Sequence, residues 1–209
     1  MFGIHDFGLF VTSCIVLNIT PGPDTFYILG RGMAQGRAAG MASALGIGTG
    51  ALVHTFAAAF GLSALLAASA SAFLFVKLAG ALYLIYLGAR MLFTRAAASA
   101  AIPARFDSSG FLDVYRQGLL TNVLNPKVAL FYLAFMPQFI DAASPEKFAA
   151  FMVLGLTFVT TGTLWCLLLA WLSAVLGHKL RHSPRFSTIL NRAAGTLFVG
   201  LGVRLAVSK

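Results

Sequence analysis

Six long apolar stretches follow one another along the chain, at about residues 7–29, 41–68, 72–93, 117–140, 148–176 and 193–207. Most reach the roughly 20 apolar residues that an α-helix needs to cross a bilayer core. Hydrophobic residues fill 59% of the 209 positions and charged residues only 10%, against about half and about a quarter in an average soluble domain. Within lipid the backbone must satisfy its own hydrogen bonds, which leaves helices as the element for such stretches. The pattern predicts an all-α integral membrane protein with six transmembrane helices. Ser69, Ala70 and Ser71 read as a tight hairpin between the second and third spans. The segment 94–116, with Pro103 and Ser108-Ser109-Gly110, reads as the one sizeable polar loop. No soluble domain fits elsewhere, so residues 1–209 read as a single transmembrane domain. The first stretch has no Lys or Arg before Arg31 and contains Asn18, Pro21 and Asp24, so it reads as a retained helix rather than a cleaved leader.

The chain carries 15 Lys and Arg against 6 Asp and Glu, a formal charge of +9. Such an excess can mark a nucleic-acid partner, but here the cations lie between apolar runs rather than along one amphipathic face, so no nucleic acid is expected. Topology accounts for them. Arg31 and Arg37, then Arg90, Arg95, Arg105 and Arg116, then Lys179, Arg181, Arg185 and Arg192 flank the first, third and fifth connections, whereas the opposite side has Lys77, Lys147, Arg204 and Lys209. The positive-inside rule therefore places the basic loops in the cytoplasm and both termini outside, in a multi-pass protein of a bacterial cytoplasmic (inner) membrane. Cys14 and Cys166 both fall in apolar segments, with no CxxC and no His/Cys cluster. Neither a metal nor another cofactor is expected.

The two halves share a pattern. Pro21 is followed five and six residues later by Phe26-Tyr27, then Ile28, and Pro126 likewise by Phe131-Tyr132, then Leu133. Lys77-Leu78-Ala79-Gly80-Ala81-Leu82-Tyr83 parallels Arg192-Ala193-Ala194-Gly195-Thr196-Leu197-Phe198. Repeat one spans about residues 1–93, the polar cytoplasmic loop about 94–116, and repeat two about 117–209. Three spans per copy would set the copies in opposite directions, as two inverted three-helix repeats, an architecture that favours transport.

Polar residues interrupt two spans. Asn18, Thr20, Pro21, Gly22, Pro23 and Asp24 fall inside the first, where two prolines remove backbone donors, so a broken helix is expected. Its second half would offer unpaired N–H groups to a substrate carboxylate; a kink used only for packing is the alternative. The matching break in the fourth span carries Asn122, Asn125, Pro126 and Lys127. Asp24 and Lys127 are expected to face a common cavity, where Asp24 takes a substrate ammonium or a coupling proton and Lys127 helps to hold a carboxylate. A permanent salt bridge, or Lys127 snorkelling to an interface, would also accommodate the two charges. Asn18, Asn122 and Asn125 fit equally as substrate ligands or as partners of freed backbone. His54, in the second span, could titrate with a transport cycle or simply be hydrogen-bonded. Thr157, Thr160, Thr161 and Thr163 form a polar stripe on the fifth span, although threonines commonly bond back to their own helix. Gly36, Gly40, Gly46 and Gly50 allow close helix contact within one chain or between two copies of a homodimer.

The Asn-x-Thr-Pro-Gly-Pro-Asp stretch at Asn18 to Asp24, the glycine-rich second span from Gly40 to Gly50, and the Gly-x-x-x-Asn-x-x-Asn-Pro-Lys stretch at Gly118 to Lys127 resemble the LysE/RhtB family of amino-acid exporters. The resemblance runs over essentially the whole chain. It implies a secondary transporter, not an enzyme, that exports a small amino acid under the proton gradient. Pro21, Gly22, Pro23, Asp24, Asn125, Pro126 and Lys127 stand at the family's motif positions. Two other functions fit parts of the sequence: a thiol–disulfide electron carrier built on Cys14 and Cys166, and a non-transporting membrane scaffold. The cysteines occupy the first and fifth spans and adjoin neither proline break, which disfavours the first.

Overall fold

A computed structural model of the chain describes residues 2–68 and 110–180, with single positions between 71 and 93 and between 192 and 203, all of them helical. The expected hairpin at Ser69–Ser71, the third and sixth spans with their repeat match, and most of the 94–116 loop therefore lie largely outside the described residues. Helix α1 (Phe7–Ile19) is followed by α2 (Pro23–Gln35) and α3 (Arg37–Ala57). A π turn, Ala58–Leu62, leads from α3 into α4 (Ser63–Ala68). In the second half come α5 (Phe111–Val123), the short α6 (Pro126–Leu130), a π turn Phe131–Phe135, a 3-10 turn Met136–Phe139, and α7 (Lys147–Leu180).

Two helical stretches are long and apolar enough to cross a membrane, Arg37–Leu65 and Lys147–Ser173. Phe111–Val123 with Pro126–Phe139, bent by 46°, makes a third if counted as one span. Six were expected, and the described residues carry two or three. The first expected span is divided at 20–22, and its 13-residue α1 is too short to cross alone. Helix α5 begins at Phe111, inside what the sequence assigns to the polar loop. Gly110 enters it in an extended conformation, and Asp113 in its first turn complements the positive helix end. Exposed Phe111 and Leu112 make this start amphipathic, which the hydropathy of the loop conceals.

Helix α3 lies along both α5 and α7, and glycine sets how closely. A Cβ at Gly50 would stand 2.9 Å from the Leu119 carbonyl oxygen, one at Gly118 2.7 Å from the Ser43 carbonyl oxygen, and one at Gly46 would meet the Tyr115 carbonyl. Gly40 faces Ala170 and Gly32. These small-residue faces are thus occupied within the chain. Gly36, at φ +86, makes the sharp joint between α2 and α3 that a residue with a Cβ would enter only under strain. Under the breaks, an aromatic cluster ties α1 to the second half. Phe131 stacks on Phe158 at 4.5 Å, and Phe10 meets Phe139 edge-on at 5.2 Å. Outward-facing Phe60, Leu124, Leu133 and Leu164 are exposed, an apolar exterior suited to lipid.

Because the atoms facing Gly46 are backbone, they cannot move aside cheaply. Gly46→Ala should cost about 1–3 kcal/mol and lower the melting temperature of the detergent-solubilised protein. Gly61→Ala, where an added Cβ meets nothing, should leave it unchanged or slightly higher.

Candidate functional site

A proline cannot supply the N–H that would bond the carbonyl four residues earlier. Pro21 therefore leaves the Leu17 carbonyl without its helical donor, and Pro126 does the same to Asn122. Both carbonyls find a donor in the other half of the chain. Lys127 Nζ donates to Leu17 O at 3.2 Å and to Thr20 O at 3.0 Å. His54 Nε2 lies 3.3 Å from Asn122 O; a carbonyl only accepts, so this nitrogen carries the proton. Asn125 N–H closes the same carbonyl from its own turn at 2.9 Å. The two breaks are thus clasped reciprocally, each by a cationic or imidazole side chain from the opposite half.

The breaks also resemble each other locally. Pro23 and Pro126 each open a helix at its first position, which sets Asp24 and Lys127 at equivalent second positions. This register pairs Pro23, not Pro21, with Pro126, and the Phe-Tyr match of the sequence then falls two residues out of step. Asp24 complements the positive end of α2, whereas Lys127 reaches away from its own helix start to the negative C-terminal end of α1. Gly22 leaves it room, since a Cβ there would stand 3.2 Å from Nζ. Asn125 Oδ1 caps α6 by accepting from the Lys127 N–H at 3.0 Å. The Thr20 hydroxyl is spent on Val16 O at 2.7 Å.

Asn18, Asp24, Asn122 and Lys127 line one cavity, of about 40 Å³, between α1, α2, α3, α5, α6 and α7. Asn122 Nδ2 donates to Asp24 Oδ2 at 2.8 Å, and Asn18 Nδ2 to Thr161 Oγ1 at 3.2 Å. Asp24 and Lys127 share this space without forming a salt bridge. Of the alternatives, the permanent ion pair is therefore absent, and Lys127 does not snorkel. Asp24 Oδ1 and Asn122 Oδ1 are buried with no hydrogen bond, as is Asn125 Nδ2. Such groups cost about 1–3 kcal/mol each unless something fills their valence. His54 stands outside the cavity lining, stacked on Tyr132 at 5.5 Å. Cys14 lies in the aromatic cluster and Cys166 at the cavity, both as free thiols. Among the described residues no group of His, Cys, Asp and Glu is placed to hold a metal.

Two features escape the sequence reading. Arg31, counted with the cytoplasmic flank, is 4% exposed. It donates to Gln117 Oε1 at 2.5 Å and Gln35 Oε1 at 3.2 Å and lies 5.7 Å from the centre of the Tyr27 ring. Tyr27 in turn donates to Val114 O at 3.0 Å, so this cluster fastens α2 to α5. The spacing of Tyr27, Arg31 and Gln35, four residues apart on one helical face, is the signal that could have found it. The second is Tyr132, whose hydroxyl sits 2.9 Å from Thr55 Oγ1 and donates to Ala51 O at 3.1 Å.

Removing the ammonium would strand two carbonyls in an apolar setting. Lys127→Met should cost about 2–5 kcal/mol and His54→Phe, which keeps the stack on Tyr132, about 1 kcal/mol. Thermal unfolding in detergent should rank wild type above His54→Phe above Lys127→Met.

The family described as LysE type translocator matches residues 15–209. A membrane protein of Vibrio cholerae whose function is uncharacterised is 32% identical over 206 residues, covering 99% of this chain and 98% of its own. Leucine efflux proteins of Enterobacter sp. (strain 638) and Salmonella typhimurium are 30% and 28% identical over 211 residues, covering 98% of this chain and 97% and 96% of theirs. No solved structure matches. With nearly the whole chain matched and its apolar helices in place, the protein is a membrane protein of the LysE type translocator family, a family of transporters and not of enzymes.

Proposed function

We propose that the chain exports an amino acid across the bacterial cytoplasmic membrane, driven by the proton gradient, as a single transmembrane domain of six helices in two inverted three-helix repeats. The observation that carries this reading is the buried polar cavity at the two breaks, where Asp24 Oδ1 and Asn122 Oδ1 have no partner. Two acceptors, one of them a carboxylate, suit the α-ammonium common to all amino acids. Asp24 already complements the positive end of α2, so the ammonium, rather than the carboxylate, belongs at that helix start. Lys127, held by Leu17 O and Thr20 O, keeps a positive charge beside the cavity that favours the substrate's carboxylate.

The leucine efflux relatives support an aliphatic amino acid of that size as cargo. A cavity of about 40 Å³ holds roughly three water molecules, so binding requires the two halves to part. Rocking of one repeat against the other would open the site alternately to either side. Asp24, once its ammonium partner leaves, can take the returning proton. His54 bears on the same step through Asn122, whose carbonyl it bonds and whose amide holds Asp24. A homodimer would have to use surfaces other than the glycine faces buried between α3, α5 and α7.

Purified protein in vesicles loaded with labelled leucine, alanine, lysine or threonine should release at least one of them faster than empty vesicles, and faster still under an imposed pH gradient. Asp24→Asn should slow release at least tenfold and abolish its response to the gradient. Release of no amino acid would return the protein to another solute or to a scaffold role.

A further inference from the structure

Helix α7 also lines the cavity that holds Asp24 and Asn122, and two of its side chains behave unlike their neighbours. Thr157 and Thr161 both donate back to their own helix, to Val153 O at 2.8 Å and to Thr157 O at 2.9 Å. That is the ordinary fate of a helical threonine. Thr163 makes no such bond, and its Oγ1 is buried without a partner. It packs against Gly48, where a Cβ would stand 2.7 Å from the hydroxyl oxygen. Two residues on, Trp165 Nε1 is also buried without a partner, although an indole N–H normally finds one. Both residues line the cavity.

The cavity is thus polarised. Its unpartnered atoms on α2 and α5 are acceptors, Asp24 Oδ1 and Asn122 Oδ1, and those on α7 are a hydroxyl and an N–H that can donate. Lys127 cannot make the opposite pole alone, because two of its three protons are taken by backbone carbonyls. We infer that Thr163 Oγ1 and Trp165 Nε1 bind the carboxylate of the amino-acid substrate, opposite the ammonium site at Asp24 and Asn122. This rests on the export reading and adds to it the residues that recognise the acid end. A zwitterion would fill all four orphaned valences at once, whereas a simple amine or a simple acid would leave half of them empty. Trp165 also lines a second hollow of about 230 Å³, with Ile15, Asn18, Ile19, Thr161, Leu164 and Leu168.

Thr163→Val removes one donor and keeps nearly the same shape; Trp165→Phe removes the other and keeps an aromatic ring, though a smaller one. Deleting a buried hydroxyl that has no partner does not destabilise a fold, so Thr163→Val should melt at or above the wild-type temperature, whereas Trp165→Phe also loses ring volume and should melt somewhat lower. Binding would be read by competition against labelled leucine, using leucine itself, 4-methylpentanoate (leucine without its amino group) and 3-methylbutylamine (leucine without its carboxyl). Each substitution should weaken leucine and 4-methylpentanoate by about tenfold to a hundredfold and leave 3-methylbutylamine unchanged. Equal loss for all three competitors, or no loss for any, would overturn the assignment. A drop in the melting temperature of Thr163→Val would do the same, since it would show that its hydroxyl serves the fold. Wild-type vesicles that release amino acids while the variants bind as wild type would sink this inference alone; vesicles that release none would remove the export reading and this assignment with it.

Discussion

A carbonyl stripped of its helical donor in an apolar interior must find another, and two prolines create that demand twice in this chain. Pro21 exposes Leu17 O and Pro126 exposes Asn122 O, and the nearest water-like donors are Lys127 and His54. Each answer crosses from one half to the other. The polar cavity therefore exists because the helices are broken, and the breaks persist because the same side chains close them. Asn122 joins the two systems: its carbonyl belongs to the clasp, while its side chain holds Asp24 at 2.8 Å.

Glycine supplies the rigid frame around this arrangement. Where Gly46, Gly50 and Gly118 bring α3 against α5 almost backbone to backbone, dispersion contacts replace the hydrophobic drive that lipid cannot provide. Asn122 sits directly against Gly50, so the position of the Asp24 partner is set by how close those helices come. The aromatic cluster of Phe10, Phe131, Phe135 and Phe158 plays the same part on the other side of the breaks.

Much of this was legible in the sequence. Prolines beside asparagine inside apolar runs announce interrupted helices, and an acid and a base at those interruptions announce a polar pocket; Asn18, Asp24, Asn122 and Lys127 do meet. The wiring was not legible, because a buried ammonium chooses its partner by where freed carbonyls lie in space. Hence Lys127 bonds backbone and not Asp24. The burial of Arg31 was hidden for a related reason: hydropathy assigns a cation to a flank, while the Gln117 that shelters it, together with Tyr27 on its own helical face, comes from another helix. Nothing in sequence separates Thr163 from Thr161, since only the approach of Gly48 and the free space beyond distinguish their hydroxyls.

The two π turns, Ala58–Leu62 and Phe131–Phe135, touch each other. A π turn stores one residue more than the α-helix on either side of it. Returning it to α geometry would swing every later side chain about 100° around the axis, at the expense of little hydrogen bonding. The abutting pair lies just past His54 on one helix and just past Lys127 on the other, so the side chains that close the two breaks are each followed by a turn with one residue to spare.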